Sequence, residues 1–210
     1  MNNILIMGSG LMVPCMLDYI AQNANYRITI ASNIEADAIQ VASKYFNATG
    51  IYADVSDFNS MVELISRHDL VISYVPPFLH MHVMRPAVKA KRHVVTASYI
   101  DDKMKELDEE IRENDLIFLS GMGVDPGIDI MSTMKVKDEV EANGGKIVKY
   151  ESWCGGLPDA FYADNPLGYK ISWAPQAVFR TCKNDATFLK DGEIVTIPGE
   201  KLLTEGTKPK

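Results

Sequence analysis

Six short apolar runs, separated by helix-like stretches, set the limits on how this chain folds. Ile4–Met7, Arg27–Ala31, Ile51–Ala53, Leu70–Tyr74, His93–Thr96 and Leu116–Leu119 are nearly continuous in their apolar residues. Strands buried on both faces of a parallel sheet read this way, because helices cover both sides and leave no solvent face to alternate toward. Helical patterns lie between them. Leu11, Cys15, Met16, Tyr19 and Ile20 share one face, which makes Cys15 a packing residue. Ile39, Val41, Ala42 and Tyr45 partly share another. Met61, Leu64 and Ile65 follow Ser60, and Met104, Leu107 and Ile111 follow the cap residues Asp101 and Asp102. Alternation of this kind requires right-handed βαβ crossovers and predicts an α/β chain with a doubly wound parallel sheet.

The rhythm stops at Gly123-Val124-Asp125-Pro126-Gly127, where Pro then Gly predicts a type II turn. Ile128 to Val140 reads as a helix stopped by Asn143-Gly144-Gly145. Ile147–Trp153 alternates like a strand, and Thr187–Leu189 and Glu193–Ile197 flank a hairpin signal at Asp191-Gly192. For 210 residues, a prior of roughly 150 per domain gives about 1.4 domains. The division expected is a nucleotide-binding domain over residues 1–124 and, over 125–210, the opening part of an α+β substrate domain.

The first strand runs into Gly8-Ser9-Gly10-Leu11-Met12-Val13 and then a helix. Gly8 permits the tight turn. Gly10 has no Cβ to keep a pyrophosphate away, and the helix N-terminus offers free N–H groups and its dipole to the anion. This is the Rossmann-type arrangement. Val13 stands where a third glycine governs helix–strand packing, which weakens the motif without abolishing it. The bland alternative is a tight turn that binds nothing.

Ligands of such a sheet sit at the carboxyl ends of its strands. Ser32 and Asn33 end the second strand, at the place where an acidic residue holds an NAD ribose. No Lys or Arg lies between Ala31 and Val41, while Glu35 and Asp37 do, so local charge favours NAD over NADP. Asp54 and Val55 follow the third strand near the adenine, and Tyr74 and Pro76 follow the fourth along the nicotinamide ribose. Ala97, Ser98 and Tyr99 follow the fifth; Gly123, Val124 and Asp125 follow the sixth. Each polar group has a second reading. Asp54, Ser98 and Asp125 are all suited to capping the turn or helix that follows, and Tyr99 to packing. His80 and His82, two apart, match no metal-ligand spacing and read as core or surface residues.

With 21 Lys and Arg against 28 Asp and Glu, the net charge is −7. That balance argues against a nucleic-acid partner, whose backbone calls for clustered cations. No apolar run approaches about 18 residues, so no membrane span is expected. Residues 1–20 lack a basic stretch and are interrupted by Asp18, which argues against a secretory signal. Cys15, Cys154 and Cys182 are odd in number and widely spaced, as reduced thiols in the cytoplasm would be.

Beyond Gly123 the motifs become particular. Gly123-Val124-Asp125-Pro126-Gly127-Ile128-Asp129 is followed by Trp153-Cys154-Gly155-Gly156-Leu157-Pro158. Then come Asp164-Asn165-Pro166-Leu167-Gly168-Tyr169-Lys170 and Ser172-Trp173-Ala174-Pro175. With Gly8-Ser9-Gly10 and His93-Val94-Val95-Thr96-Ala97-Ser98-Tyr99 upstream, the chain resembles the glutamate-forming saccharopine dehydrogenases of lysine metabolism along essentially its whole length. The resemblance implies reversible oxidation of saccharopine, with NAD or NADP, to glutamate and aminoadipate semialdehyde. A base must deprotonate the amine and steer water onto the imine. It further implies that Ser98, Tyr99, Asp125 and Cys154 line the reacting end, with Tyr99 and Asp125 as proton-relay groups. Cys154 is there a contact more than a nucleophile, and Ser172 touches the nicotinamide end. Departures occur at Met12, with Pro14 shifted by one, and at Asp159-Ala160-Phe161. The family's chain runs on well past residue 210 and carries there the arginines that bind substrate carboxylates. Three alternatives follow: a nucleotide-binding chain without turnover, an interaction protein that keeps only the fold, and, against the Trp153–Pro158 segment, an enzyme acting on carboxylated polyamines. Exposed edges of a partial substrate domain would favour a homodimer, and animal relatives that belong to longer bifunctional proteins make a mitochondrial location the alternative to a cytoplasmic one.

Overall fold

The computed structural model describes residues 2–170 and 183–205. Contacts divide the chain into two units, Met1–Gly155 and Gly156–Lys210. The first unit is built on six parallel strands: β1 (Asn2–Met7), β2 (Tyr26–Ser32), β3 (Ala48–Tyr52), β4 (Leu70–Ser73), β5 (His93–Thr96) and β6 (Phe118–Leu119). Their order is β3-β2-β1-β4-β5-β6. This is the doubly wound Rossmann order, with its reversal between β1 and β4. The expected strands are all there; β3 starts three residues earlier than its apolar run, and β6 keeps only its last two residues.

Successive residues of β1 divide between the two faces of the sheet. Ile4 and Ile6 pack with Val13 and Leu17 of α1 (Met12–Ile20) and with Ala38 and Ala42 of α2 (Glu35–Ala42). Leu5 and Met7 pack with Met61 and Ile65 of α3 (Phe58–Ser66) and with Val83, Met84 and Ala87 of α4 (His80–Ala90). The buried stripe of α1 is therefore Val13, Leu17 and, just beyond its end, Ala21, spaced by four. The face expected from the sequence is displaced: Leu11, Cys15 and Tyr19 are exposed. Burying Val13, at the third glycine position, fixes the rotation of the helix and turns Cys15 outward. Cys15 is thus not a packing residue.

Asp57 caps α3 by accepting the Ser60 N–H, so Ser60 lies inside the helix. Asp101 caps α5 (Asp102–Lys105), which breaks before α6 (Asp108–Glu113) where one helix was expected. The segment from Gly123 to Gly127 is not a type II turn. Asp125–Pro126 is cis, Gly123 N–H donates to Pro126 O at 2.9 Å, and Ile128 N–H to Gly123 O at 3.0 Å. The helix α7 (Ile128–Ala142) then starts at Gly127 with no side-chain cap and ends at Asn143 as expected. Residues 147–153 form no strand: Val148 is exposed, and among the described residues no neighbouring strand accepts its backbone.

The second unit contains an antiparallel hairpin, β7 (Ala186–Lys190) and β8 (Glu193–Ile197), turned by Asp191 and Gly192, both at positive φ. Ser172, Trp173 and Cys182 lie outside the described residues. Among the described residues no helix is long and apolar enough to cross a membrane.

Candidate functional site

The carboxyl ends of β1 and β4 meet at the point where the strand order reverses. Gly8 leaves β1 at φ 111°, and its N–H donates to Ala31 O at 2.8 Å. A Cβ on Gly8 would lie 3.0 Å from the carbonyl oxygen of Tyr74 and 3.2 Å from its carbon. Glycine is thus required here twice, by conformation and by contact. Around Gly10 the opposite holds: a Cβ there would meet nothing within 4 Å. That open space faces the N-terminus of α1, which has neither a side-chain cap nor an acidic residue in its first turn. The loop thereby leaves the uncapped N-terminus of α1 open to an anion.

At the end of β2, Ser32 is buried and its hydroxyl bonds Ser9 Oγ at 3.0 Å and accepts the Ile34 N–H at 3.1 Å. Asn33 is exposed beside it, and Glu35 and Asp37 stand in the first turn of α2. Asp54, after β3, is a local turn former: Ser56 N–H and Oγ both donate to Oδ1, at 2.9 and 2.7 Å, and hold its carboxyl below the usual range. Its second oxygen stays available to a ligand. Val55 lines a cavity of about 310 Å3 with Phe58, Met81, His82 and Arg85. Pro76 precedes a single 3-10 turn at Pro77–Leu79 that feeds α4, and Tyr74 is half-buried, its phenol pushed up by burial.

A second cluster forms where β5 and β6 end. Ala97 packs against Gly123, whose added Cβ would lie 3.2 Å from that of Ala97. This contact brings the two strand-end loops together. Tyr99 donates its hydroxyl to Asp125 Oδ1, and the Asp125 carboxylate also acts on the Cys154 thiol. The hydrogen bond to Asp125 is the main reason the Tyr99 phenol is pushed up to about 12, with burial and the Asp125 charge adding to it. Burial, then Asp125 and Asp129, push the Cys154 thiol up. Tyr99 is therefore a donor to Asp125, and Cys154 a protonated thiol near pH 7. Asp125 caps nothing, and Ser98 caps nothing either, because Asp101 caps the next helix. Val124 is exposed beside them. Among the described residues no group of His, Cys, Asp and Glu could hold a metal ion.

His80 is a core residue and His82 a surface one, as their spacing suggests. His80 is fully buried at the start of α4 and bonds both Ser73 and Ser98. The available signal was its position, one helical turn past the proline pair at the end of β4. His82 is exposed on the same helix.

Two family models match this chain: one described as Saccharopine dehydrogenase NADP binding domain over residues 4–119, the other as Saccharopine dehydrogenase C-terminal domain over 123–210. Saccharopine dehydrogenase [NADP(+), L-glutamate-forming] of Saccharomyces cerevisiae is 37% identical over 202 residues, 96% of this chain and 45% of that protein. Alpha-aminoadipic semialdehyde synthase, mitochondrial, of Rattus norvegicus is 34% identical over 209 residues, 99% of this chain and 22% of that protein. The solved structure of apo saccharopine dehydrogenase (L-Glu forming) from Saccharomyces cerevisiae superposes with a TM-score of 0.86 at 36% identity, covering 98% of this chain and 46% of the other. The chain thus spans less than half the length of the curated relatives it matches.

Proposed function

Because the chain belongs to the saccharopine dehydrogenase family, we propose that it binds a nicotinamide dinucleotide across the β1–β4 reversal and serves the reversible oxidation of saccharopine to glutamate and aminoadipate semialdehyde. The observation that carries this reading is the Tyr99–Asp125 pair, joined across the loops that follow β5 and β6, on the same edge of the sheet as Gly8 and Gly10. A bound nicotinamide ring supplies the two-electron acceptor for the C–N bond.

The protein's own contribution is binding, orientation and proton handling. Gly8, Ser9, Gly10, Leu11, Met12 and Val13 hold the pyrophosphate, while Ser32, Asn33, Asp54 and Val55 hold the adenosine end. Tyr74, Pro76, Ala97, Ser98, Gly123 and Val124 flank the nicotinamide half. Asp125 is the group that takes the proton from the substrate amine, because its carboxylate is the acceptor, held in place by the Tyr99 hydroxyl. Cys154, kept as a thiol, acts as a contact and not as a nucleophile. Ser172 joins this proposal by its place in the sequence alone.

NADP is the dinucleotide proposed, since the matching family model and the yeast relative are both named for it. The lean to NAD from local charge gives way to that. The donors this chain offers a 2′-phosphate at the end of β2 are the neutral Asn33 amide and the N-terminal N–H groups of α2. An arginine there would therefore help. Asn33→Arg is expected to tighten NADP binding about tenfold, the size of one charge-assisted hydrogen bond, with NAD little changed. Parallel fluorescence titrations read the difference, and equal tightening of both cofactors would place the phosphate elsewhere.

Steady-state oxidation of saccharopine with NADP, read as reduced cofactor, tests the enzyme assignment. Turnover supports it. Binding without turnover favours the second reading, a nucleotide-binding chain lacking catalysis. The free thiols Cys15 and Cys154 suit a reducing, cytoplasmic setting, although the rat relative is named for mitochondria. A homodimer is proposed from the exposed Ile128, Ile130, Met131 and Met134 of α7. Sedimentation velocity showing a single monomeric species would remove it.

A further inference from the structure

Behind Ser98, in the half of the sheet formed by β4, β5 and β6, polar side chains meet out of solvent. His80 at the start of α4, Ser73 at the end of β4 and Thr96 at the end of β5 are all buried. His80 Nδ1 pairs with the Ser73 hydroxyl at 2.8 Å, and Nε2 pairs with the Ser98 hydroxyl at 2.7 Å. Thr96 Oγ1 lies 3.4 Å from Nε2 and accepts the Ser98 N–H at 3.2 Å. Ser98 is therefore held twice, by its backbone from Thr96 and by its side chain from His80.

Burial pushes the imidazole down to about 4, against the opposing charge of Asp101, so it is neutral near pH 7 with one donor and one acceptor nitrogen. The tautomer sets what Ser98 offers a ligand. If Nε2 accepts, the Ser98 hydrogen is used inward and only lone pairs face the crevice. If Nε2 donates, one lone pair is used inward and the Ser98 hydrogen points outward beside the other. A buried polar chain is costly unless every member is satisfied, and this one ends on a half-buried hydroxyl at the carboxyl edge of the sheet.

In a sheet of this order the two halves each take one mononucleotide. Gly8 and Ser32 belong to the half holding the adenosine end, and Ser98 to the other. We infer that His80 is a positioning residue for the nicotinamide end: through Nε2 it fixes the Ser98 hydroxyl, so that Ser98 meets the bound dinucleotide from one position. The inference rests on the dinucleotide reading proposed above and adds to it a residue that touches no ligand.

Two substitutions keep a polar group and separate the two nitrogens. Asn reaches the place of Nδ1 and Gln that of Nε2. The probes are NADPH and adenosine 2′,5′-bisphosphate, which carries the adenosine half without the nicotinamide. His80→Asn is expected to weaken NADPH about tenfold and the bisphosphate less than about twofold, the loss of one hydrogen bond at one end. His80→Gln is expected to stay near the wild type for both. Ser98→Ala should reproduce the His80→Asn loss, and the double variant should add nothing to it; should His80→Asn fail to fold, Ser98→Ala beside His80→Gln still decides. Equal weakening of both probes, or of neither, would overturn the inference. A wild-type chain that binds the bisphosphate with no gain from the nicotinamide half overturns it while leaving the glycine-loop site standing. A wild-type chain that binds neither overturns the dinucleotide reading itself and the inference with it.

Discussion

Replacing Gly8 with valine is expected to abolish dinucleotide binding and to destabilise the first unit by about 2 kcal/mol or more. Two effects add. An L-residue at φ 111° is strained wherever it stands, and the new Cβ would lie 3.0 Å from the Tyr74 carbonyl oxygen, which is main chain. The backbone must move, and it moves where β1 and β4 hand over to the phosphate loop. The companion change Gly10→Ala isolates the second function of the loop. Its Cβ meets no protein atom within 4 Å, so stability should hold while NADPH weakens by about tenfold or more, since the added methyl occupies the space the pyrophosphate requires. Urea unfolding beside an NADPH titration reads both. If Gly8→Val binds as the wild type does, the phosphate is not held here.

Asp125→Asn is expected to lower turnover by about 10^2 to 10^4, the range of a lost general base, with NADPH affinity changed less than about threefold. The fold should be indifferent, because Asp125 is exposed and caps no helix. A readout independent of turnover accompanies this. The hydrogen bond to Asp125 is the largest cause holding the Tyr99 phenol near 12, so the variant should bring its ionisation down toward that of an ordinary tyrosine. Carbon-13 labelling of tyrosine, assigned through Tyr99→Phe, follows that titration. Cys154 should become more acidic for the same reason, though burial, its first cause, persists. Its alkylation near pH 8 should therefore quicken. Unchanged turnover in Asp125→Asn, with Tyr99 shifted as described, would leave the geometry intact and remove Asp125 from the chemistry.

The parallel sheet was legible because its strands are apolar on both faces, and that needs no knowledge of what packs on them. Features set by tertiary contact were less so. The stripe Val13, Leu17, Ala21 depends on how α1 is rotated by the loop before it; of the face that periodicity gives, Met16 and Ile20 pack at its edge while Leu11, Cys15 and Tyr19 stay exposed. Gly50 carried no local signal at all. A Cβ there would lie 2.3 Å from the Ile39 nitrogen, so β3 tolerates only glycine where α2 crosses it. Residues 147–153 alternate as a strand does, yet alternation supplies no partner for the backbone. Ser98, Tyr99, Asp125 and Cys154 come from motif and strand end, and Asp125 was expected both to cap and to face the crevice. The loop from Gly123 to Gly127 removes the cap, by starting α7 at Gly127, and leaves the carboxylate on the Tyr99 hydroxyl. His80 lies in the core as expected, but its partners come from two strand ends, which spacing along one helix does not reveal.

The account stands most directly on whether the reversal between β1 and β4 takes a nicotinamide dinucleotide. Titration calorimetry of the wild-type chain with NADPH, beside Gly8→Val, measures that. The prediction is a saturable transition for the wild type at one site per chain, lost in Gly8→Val. Absence of binding by the wild type, or binding that survives Gly8→Val, would contradict it.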